Sequence, residues 1–375
     1  MKNKKSKENS IKYYSLENIL SKNAHYNIIF GERSNGKTYA ALEYLLTDYI
    51  KNGKQGAIIR RWKEDFRGKR GASMFNAHVA NGLVSRLTNG EYTTVYSYSG
   101  RWFLANVDAR NEGKLIPAPE PFCYGFALSD VEHDKSTAYP NIRSIVFDEF
   151  LTRQYYLPDE FVTFMNVIST IIRQRDDVKI FMLGNTVNQY CPYFTEMGLT
   201  HIKDMKKNSI EVYQYGDTKL RVAVEYADSV SQSGKPSDVY FAFNNPKLSM
   251  ITGGAWEMAM YPHLPYKYTP KEVVFKYFME FDRQILQCEV IKTNGSMFTY
   301  IHRKTTPIQH PDKDLIYSME DDPRPNHIRN MRKSKQPINK RIAKFFSENK
   351  VFYQDNEVGE IVRNYLIKCA HDSIQ

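Results

Sequence analysis

Gly31-Glu-Arg-Ser-Asn-Gly36-Lys37-Thr38 follows a short apolar run, Tyr26-Asn-Ile-Ile-Phe30, and opens a stretch, residues 38–50 (TYAALEYLLTDYI), whose apolar positions recur at helical spacing. A strand, a glycine-bounded loop ending in Gly-Lys-Thr, and a helix form the phosphate-binding arrangement. Its physics is local. Backbone N–H groups of the loop and of the helix N-terminus converge on the phosphates. In this pattern Gly31, Glu32, Arg33, Ser34, Asn35 and Gly36 form the cradle, Lys37 adds a point charge, and Thr38 offers a hydroxyl to Mg²⁺. The cofactor expectation is therefore ATP with Mg²⁺.

Outward from the loop, strand-like and helix-like runs alternate, the pattern of a parallel sheet covered by helices. Residues 56–60 (GAIIR) read as a second strand and 142–147 (IRSIVF) as a third. Residues 91–107 read as an antiparallel hairpin turning at Ser99-Gly100. A helix opens at Pro158, with proline at the first helical position, and runs to about Arg173. A fourth strand, 178–183, closes on Gly184-Asn185. The third strand delivers Asp148-Glu149 to the carboxyl edge, where open parallel sheets bind ligands. There Asp148 joins Thr38 in holding the metal and Glu149 serves as general base on an attacking water. Asn185 is placed to sense the γ-phosphate or position that water, or it is an ordinary turn residue. Arg173 and Arg175 end the helix; we favour Arg173 as a guanidinium reaching a neighbouring subunit's phosphate, with Lys135 as a further cationic candidate for the same cross-subunit site.

The composition fits a folded chain. The 375 residues are 42% hydrophobic and 25% charged, enough for a core and long enough for two domains. No apolar run reaches the length of a membrane span, and MKNKKSKENS lacks the apolar stretch of a signal peptide, so no membrane partner and a cytoplasmic location are expected. The four cysteines, at 123, 191, 288 and 369, are spaced too widely for a zinc pair or a disulfide framework. The net charge of +10 favours polyanions, and the excess is local: residues 51–70 hold eight basic and two acidic residues, and residues 324–350 hold nine and one. Arg60, Arg61, Lys63, Arg67, Lys69 and Arg70 in the first run, and Arg332, Lys333 and Lys335 in the second, are the candidates for phosphate contact.

Past residue 200 the alternation fades. The expected division is an ATPase domain over 1–200, a linker region over 201–265 and a smaller α/β domain over 266–375. In that last domain residues 273–304 read as three strands with a hairpin turn at Thr293-Asn-Gly-Ser296, and 357–369 as a helix. Glu280 and Asp282 are expected on one face of the first of these strands and Glu289 on a later one, with no further acid at a strand end to complete a two-metal nuclease.

The phosphate loop, Arg60-Arg-Trp-Lys63, IVFDEF, the helix ending IIRQR and the strand ending LGN together resemble the DNA-packaging ATPases of small tailed phages, closest to the encapsidation proteins of phi-29-like podophages. The resemblance implies an α/β P-loop core of the additional-strand, conserved-glutamate type. It also implies a homopentameric ring at the portal of a prohead in the host cytoplasm, driving double-stranded DNA inward, and a second domain shaped like an inactive RNase H-type nuclease that grips packaging RNA or DNA. It matches Lys37, Thr38, Asp148 and Glu149 to the hydrolysis motifs, Asn185 to the sensor, Arg173 and Lys135 to trans-acting cations, and Arg60 and Lys63 to a channel-facing loop. A large terminase with a live nuclease, or another P-loop translocase or helicase-like ATPase, is the alternative.

Overall fold

The structure is a computed structural model; it describes residues 14–227 and 259–372 apart from 34, 109–112, 134–136, 154–155, 187, 266 and 294. The chain divides into two compact units, Met1–Glu257 and Met258–Gln375. Among the described residues no helix is long and apolar enough to cross a membrane.

The first unit is built on one sheet. Its strands are β1 (Tyr26–Gly31), β2 (Gln55–Arg60), β3 (Thr94–Tyr98), β4 (Arg101–Val107), β5 (Leu115–Pro117), β6 (Cys123–Ala127), β7 (Ile142–Asp148), β8 (Lys179–Asn185), β9 (Ser209–Gln214) and β10 (Arg221–Ala227). They lie in the order β3-β4-β6-β2-β7-β8-β1-β10-β9, with β5 on β4. The run from β6 to β10 is parallel throughout, and antiparallel strands are added at both margins. β8 lies between the loop-bearing β1 and the acid-bearing β7, which is the additional strand. β1 is buried along its whole length because both faces are covered. One face packs Ile29, Ile58, Val146 and Phe181 against Ala41, Leu42, Leu45 and Leu46 of the Lys37–Asn52 helix. The other packs Ile28, Ile145 and Met182 against Phe164, Val167 and Ile171 of the Glu160–Ile172 helix.

Two expectations change here. The second helix begins at Glu160 rather than Pro158, because Asp159 sits at a left-handed φ of 48° as its N-cap. Glu160 itself is buried and ion-paired. Residues 201–265 are not all linker: β9 and β10 lie within them, and β10 pairs with β1 from Tyr26↔Val222 to Gly31↔Ala227. The hairpin stands as read, with Ser99 (φ 51°) and Gly100 (φ 69°) supplying the two left-handed residues of a tight turn.

The second unit is a six-stranded sheet of β11 (Val273–Phe281), β12 (Gln284–Thr293), β13 (Ser296–Arg303), β14 (Ile316–Ser318), β15 (His327–Ile328) and β16 (Val351–Tyr353), in the order β15-β14-β11-β12-β13-β16. β11 to β13 form an antiparallel meander, β14 adds parallel to β11, β15 parallel to β14, and β16 parallel to β13. The Asn356–His371 helix, N-capped by the Asp355 carboxylate accepting from Val358 N–H at 2.8 Å, packs against β11, β13 and β16. Asp282 is not on the strand face with Glu280. With Arg283 it forms the left-handed turn between β11 and β12, at φ 51° and 61°. All four cysteines are buried free thiols.

Candidate active site

Two glycines shape the loop. A Cβ on Gly31 would lie 2.3 Å from the Ala227 carbonyl oxygen, so β1 approaches β10 there only without a side chain. Gly36, at φ 93°, turns the chain into the helix in a conformation that favours glycine. Lys37 follows and is folded under the loop, 5% exposed. Its ammonium donates to the Glu32 carbonyl at 2.5 Å, to Asn35 Oδ1 at 3.1 Å and to Asn185 Oδ1 at 3.5 Å. Burial pushes its pKa down to about 8, against the opposing pull of Asp148 and Glu32. The Asn35 side chain is also buried, and its Nδ2 makes no hydrogen bond. Glu32 faces Lys207 at 3.3 Å, and Arg33 is exposed. Ser34 and Lys135 lie outside the described residues.

The strand order brings the acids to this loop. Asp148 ends β7, 4% exposed, and its Oδ1 accepts from Thr38 Oγ1 at 2.9 Å. The hydroxyl and carboxylate expected to share a metal thus already converge. Asn185, at the end of β8, stands in register with Gly31. Glu149 is turned out of the strand by a left-handed φ of 60°, leaving its side chain 65% exposed beside the site. A carboxylate kept in water beside a phosphate loop has the freedom to hold an attacking water.

Arg60 is the residue whose place the sequence reading missed. It ends β2, the neighbour of β7, and its guanidinium ion-pairs with Asp148 Oδ2 and, at 3.1 Å, with Glu149 Oε2. This corrects its assignment to a channel-facing basic loop; only the order β2-β7 reveals it. Arg61 is corrected too. It is 7% exposed, its Nε and Nη2 donate to Glu160 at 2.7 and 2.8 Å, and Nη2 also reaches the Phe150 carbonyl at 2.9 Å. It ties β2 to the start of the Glu160–Ile172 helix and presents nothing to a polyanion. Lys63 is paired with Asp130, Arg67 lies 3.9 Å from Glu64 and Arg70 lies 3.5 Å from Asp65, yet these three and Lys69 keep much of their surface in solvent.

The Glu160–Ile172 helix runs back from the carboxyl edge, so its end lies at the amino edge of the sheet, about 20 Å from the loop for seven-residue strands. Arg173 is there, exposed, at φ 55° and ψ −117°, with Nη2 donating to Thr137 O at 3.2 Å. It does not meet its own chain's phosphate loop. Arg175 instead donates to the carbonyls of Tyr139, Pro140, Ile142, Ile171 and Ile172 at 2.7–3.1 Å, bracing the helix end against the entry to β7.

In the second unit the acids are dispersed, and several are paired with cations. Glu289 accepts from Tyr268 at 2.5 Å and Gln287 at 2.7 Å, with Lys276 at 3.5 Å. Asp322, half-buried, is held well below the usual carboxylate range by hydrogen bonds from Arg324, and Asp321 pairs with Arg329 at 2.8 Å. Among the described residues no three carboxylate, histidine or cysteine side chains are grouped to hold a metal ion. Arg332, Lys333 and Lys335 are exposed, with Lys333 Nζ donating to Asp372 O at 2.7 Å.

Residues 8–236 match the family model described as podovirus DNA encapsidation protein (Gp16). The DNA packaging protein of Bacillus phage phi29 is 30% identical over 198 residues, 52% of each chain. The chain therefore spans about half the length of the curated relatives it matches. The Phi-28 gp11 DNA packaging motor is similar in fold, with a TM-score of 0.54 at 18% identity over 98% of this chain and 100% of that one. The phi-29 viral genome packaging motor assembly gives a TM-score of 0.54 at 21% identity over 94% and 96%.

Proposed function

Since the chain belongs to the podovirus DNA encapsidation protein family, we propose that it is the ATPase of a viral DNA-packaging motor, coupling ATP hydrolysis to movement of double-stranded DNA into a prohead. The observation that carries this reading is the Thr38–Asp148 hydrogen bond of 2.9 Å above the buried Lys37, on a sheet with the additional strand between loop and acid.

In this reading the loop N–H groups and Lys37 bind the β- and γ-phosphates. Thr38 and Asp148 are the residues that would hold Mg²⁺, which when bound neutralises charge on the phosphate oxygens. Arg60 leaves Asp148 for that to happen, and Glu149, released at the same time, takes the proton of the attacking water. Asn185, within reach of Lys37, orients that water or reports the γ-phosphate. Arg173, at the far edge of its own sheet, serves the phosphate site of the next copy, which requires an oligomeric ring; a homopentamer at the portal vertex, in the host cytoplasm and transiently on the prohead, fits the family.

The half-buried Lys63 and the exposed Arg67, Lys69 and Arg70 contact the duplex backbone without reading sequence. The second unit is an inactive RNase H-type domain: a three-strand meander with two strands added in parallel at its first strand supports that shape, and the paired acids support the loss of cleavage. Its exposed Arg332, Lys333 and Lys335 are the surface for packaging RNA or DNA.

Steady-state ATP hydrolysis tests the reading, with and without long duplex DNA, at two salt concentrations and beside Lys37→Ala and Glu149→Gln. Stimulation by duplex that fades with salt and is lost in both variants is expected. Turnover in Glu149→Gln equal to that of the parent would sink the mechanism.

A further inference from the structure

The hairpin of β3 and β4 has two unlike faces. Val95, Trp102 and Leu104 join the core shared with Phe75, Leu83 and Val84 of the short helical segment before it. Alternation along the strands therefore sends Tyr96, Tyr98, Arg101 and Phe103 to the opposite face. Register sets Tyr96 across from Phe103 and Tyr98 across from Arg101, and Arg101 lies across from Tyr124 of β6. The result is a row of rings over three adjacent strands, with Tyr98 at its exposed end and the half-buried Tyr124 edge-on to Tyr139 at 5.3 Å. The Tyr96 and Tyr98 centroids are 6.5 Å apart with planes within 7° of parallel, Phe103 is 6.2 Å from Tyr96, and the Arg101 guanidinium lies 6.0 Å over Tyr124. Tyr98 is 64% exposed.

We propose that this face is a stacking platform for the unpaired bases of a single nucleic-acid strand. Every base has a π-face, and aromatic side chains on neighbouring strands of an open sheet engage it regardless of sequence. The charge of the hairpin fits the same ligand: residues 93–107 contain no acid and one base, Arg101, and the acid nearby, Glu120, faces Tyr124 at the far end of the row. A duplex hides its base faces in its own stack, so this surface is distinct from the backbone contacts proposed for the duplex. Tyrosine supplies the stacking area at little entropic cost, and Arg101, directly across from Tyr98, supplies the cation for a phosphate of the stacked strand.

The test is fluorescence anisotropy of a labelled oligothymidylate and of a same-length duplex, using the full chain. Tyr98→Ala and Tyr96→Ala should each weaken single-strand binding roughly five- to a hundredfold, while Tyr98→Phe stays within about twofold. Arg101→Ala should lower the slope of affinity against salt by about one phosphate's worth. Duplex binding and basal ATP turnover should be unchanged in Tyr98→Ala, which reports that the protein is folded and separates this platform from the motor's own site. The proposal is overturned if the parent chain does not bind the single strand, if both alanine variants bind it as well as the parent, or if Tyr98→Phe loses as much as Tyr98→Ala. It is equally overturned if the alanine variants shift the sedimentation coefficient with binding intact, which would make the face a contact between copies.

Discussion

Lys37 is held in a place where its charge is costly without a nucleotide. An unfolded lysine keeps its proton to about pH 10.4, whereas the folded one gives it up near 8 because burial disfavours the ammonium. Below pH 8 both states are protonated and the penalty is present in full. As pH rises through 8 the folded state sheds the proton and the penalty shrinks, disappearing above the unfolded value. Lys37→Met should therefore stabilise the nucleotide-free protein at pH 7 by about 1–3 kcal/mol, with the gain falling steadily toward pH 10, as thermal melts across that range will read. The same variant should have no ATP turnover. The residue types of this site are legible in the sequence, because a phosphate loop needs glycine and lysine at fixed spacing. The place of Arg60 is not, since its acid partners come from a strand far along the chain.

At the scale of elements, the end of the Glu160–Ile172 helix separates two arginines that the sequence could not separate. Both follow the last turn within three residues, and both suit a helix C-terminus. The structure gives Arg175 five carbonyl partners and leaves Arg173 exposed in a backbone region unfavourable to a side chain. Arg175→Ala should cost about 1–3 kcal/mol by urea titration, since several partly buried carbonyls lose a charged donor. Arg173→Ala should leave the urea midpoint within experimental error but abolish turnover in the assembled state while nucleotide binding survives. Normal turnover there would remove the trans-acting role. The same scale explains the start of this helix. Glu160 reads as a surface acid in any sequence, yet the chain turns at Asp159 and buries it against Arg61.

For the whole molecule, the second unit carries enough acids to suggest metal-dependent cleavage, and their arrangement argues against it. Glu280 is on β11, Asp282 in the turn that follows, Glu289 bound by three neighbours, and Asp321 and Asp322 matched by Arg329 and Arg324. Supercoiled plasmid incubated with the full chain and Mn²⁺ should remain supercoiled. Nicking that a chelator stops and Lys37→Ala does not would restore the terminase alternative.

By itself the sequence determined the phosphate loop, the acid pair, the parallel core, the hairpin and the three-strand meander, because each rests on contacts within a few residues: turn chemistry, helical spacing, alternation. The tertiary structure decided the rest. That β8 lies between β1 and β7, that β10 closes the other side of β1, that Arg60 reaches Asp148, and that Tyr98, Arg101 and Tyr124 share one open face all depend on which strands become neighbours. Strand order is set by burying two apolar faces of one sheet at once, a condition on the whole unit that no local stretch of residues expresses.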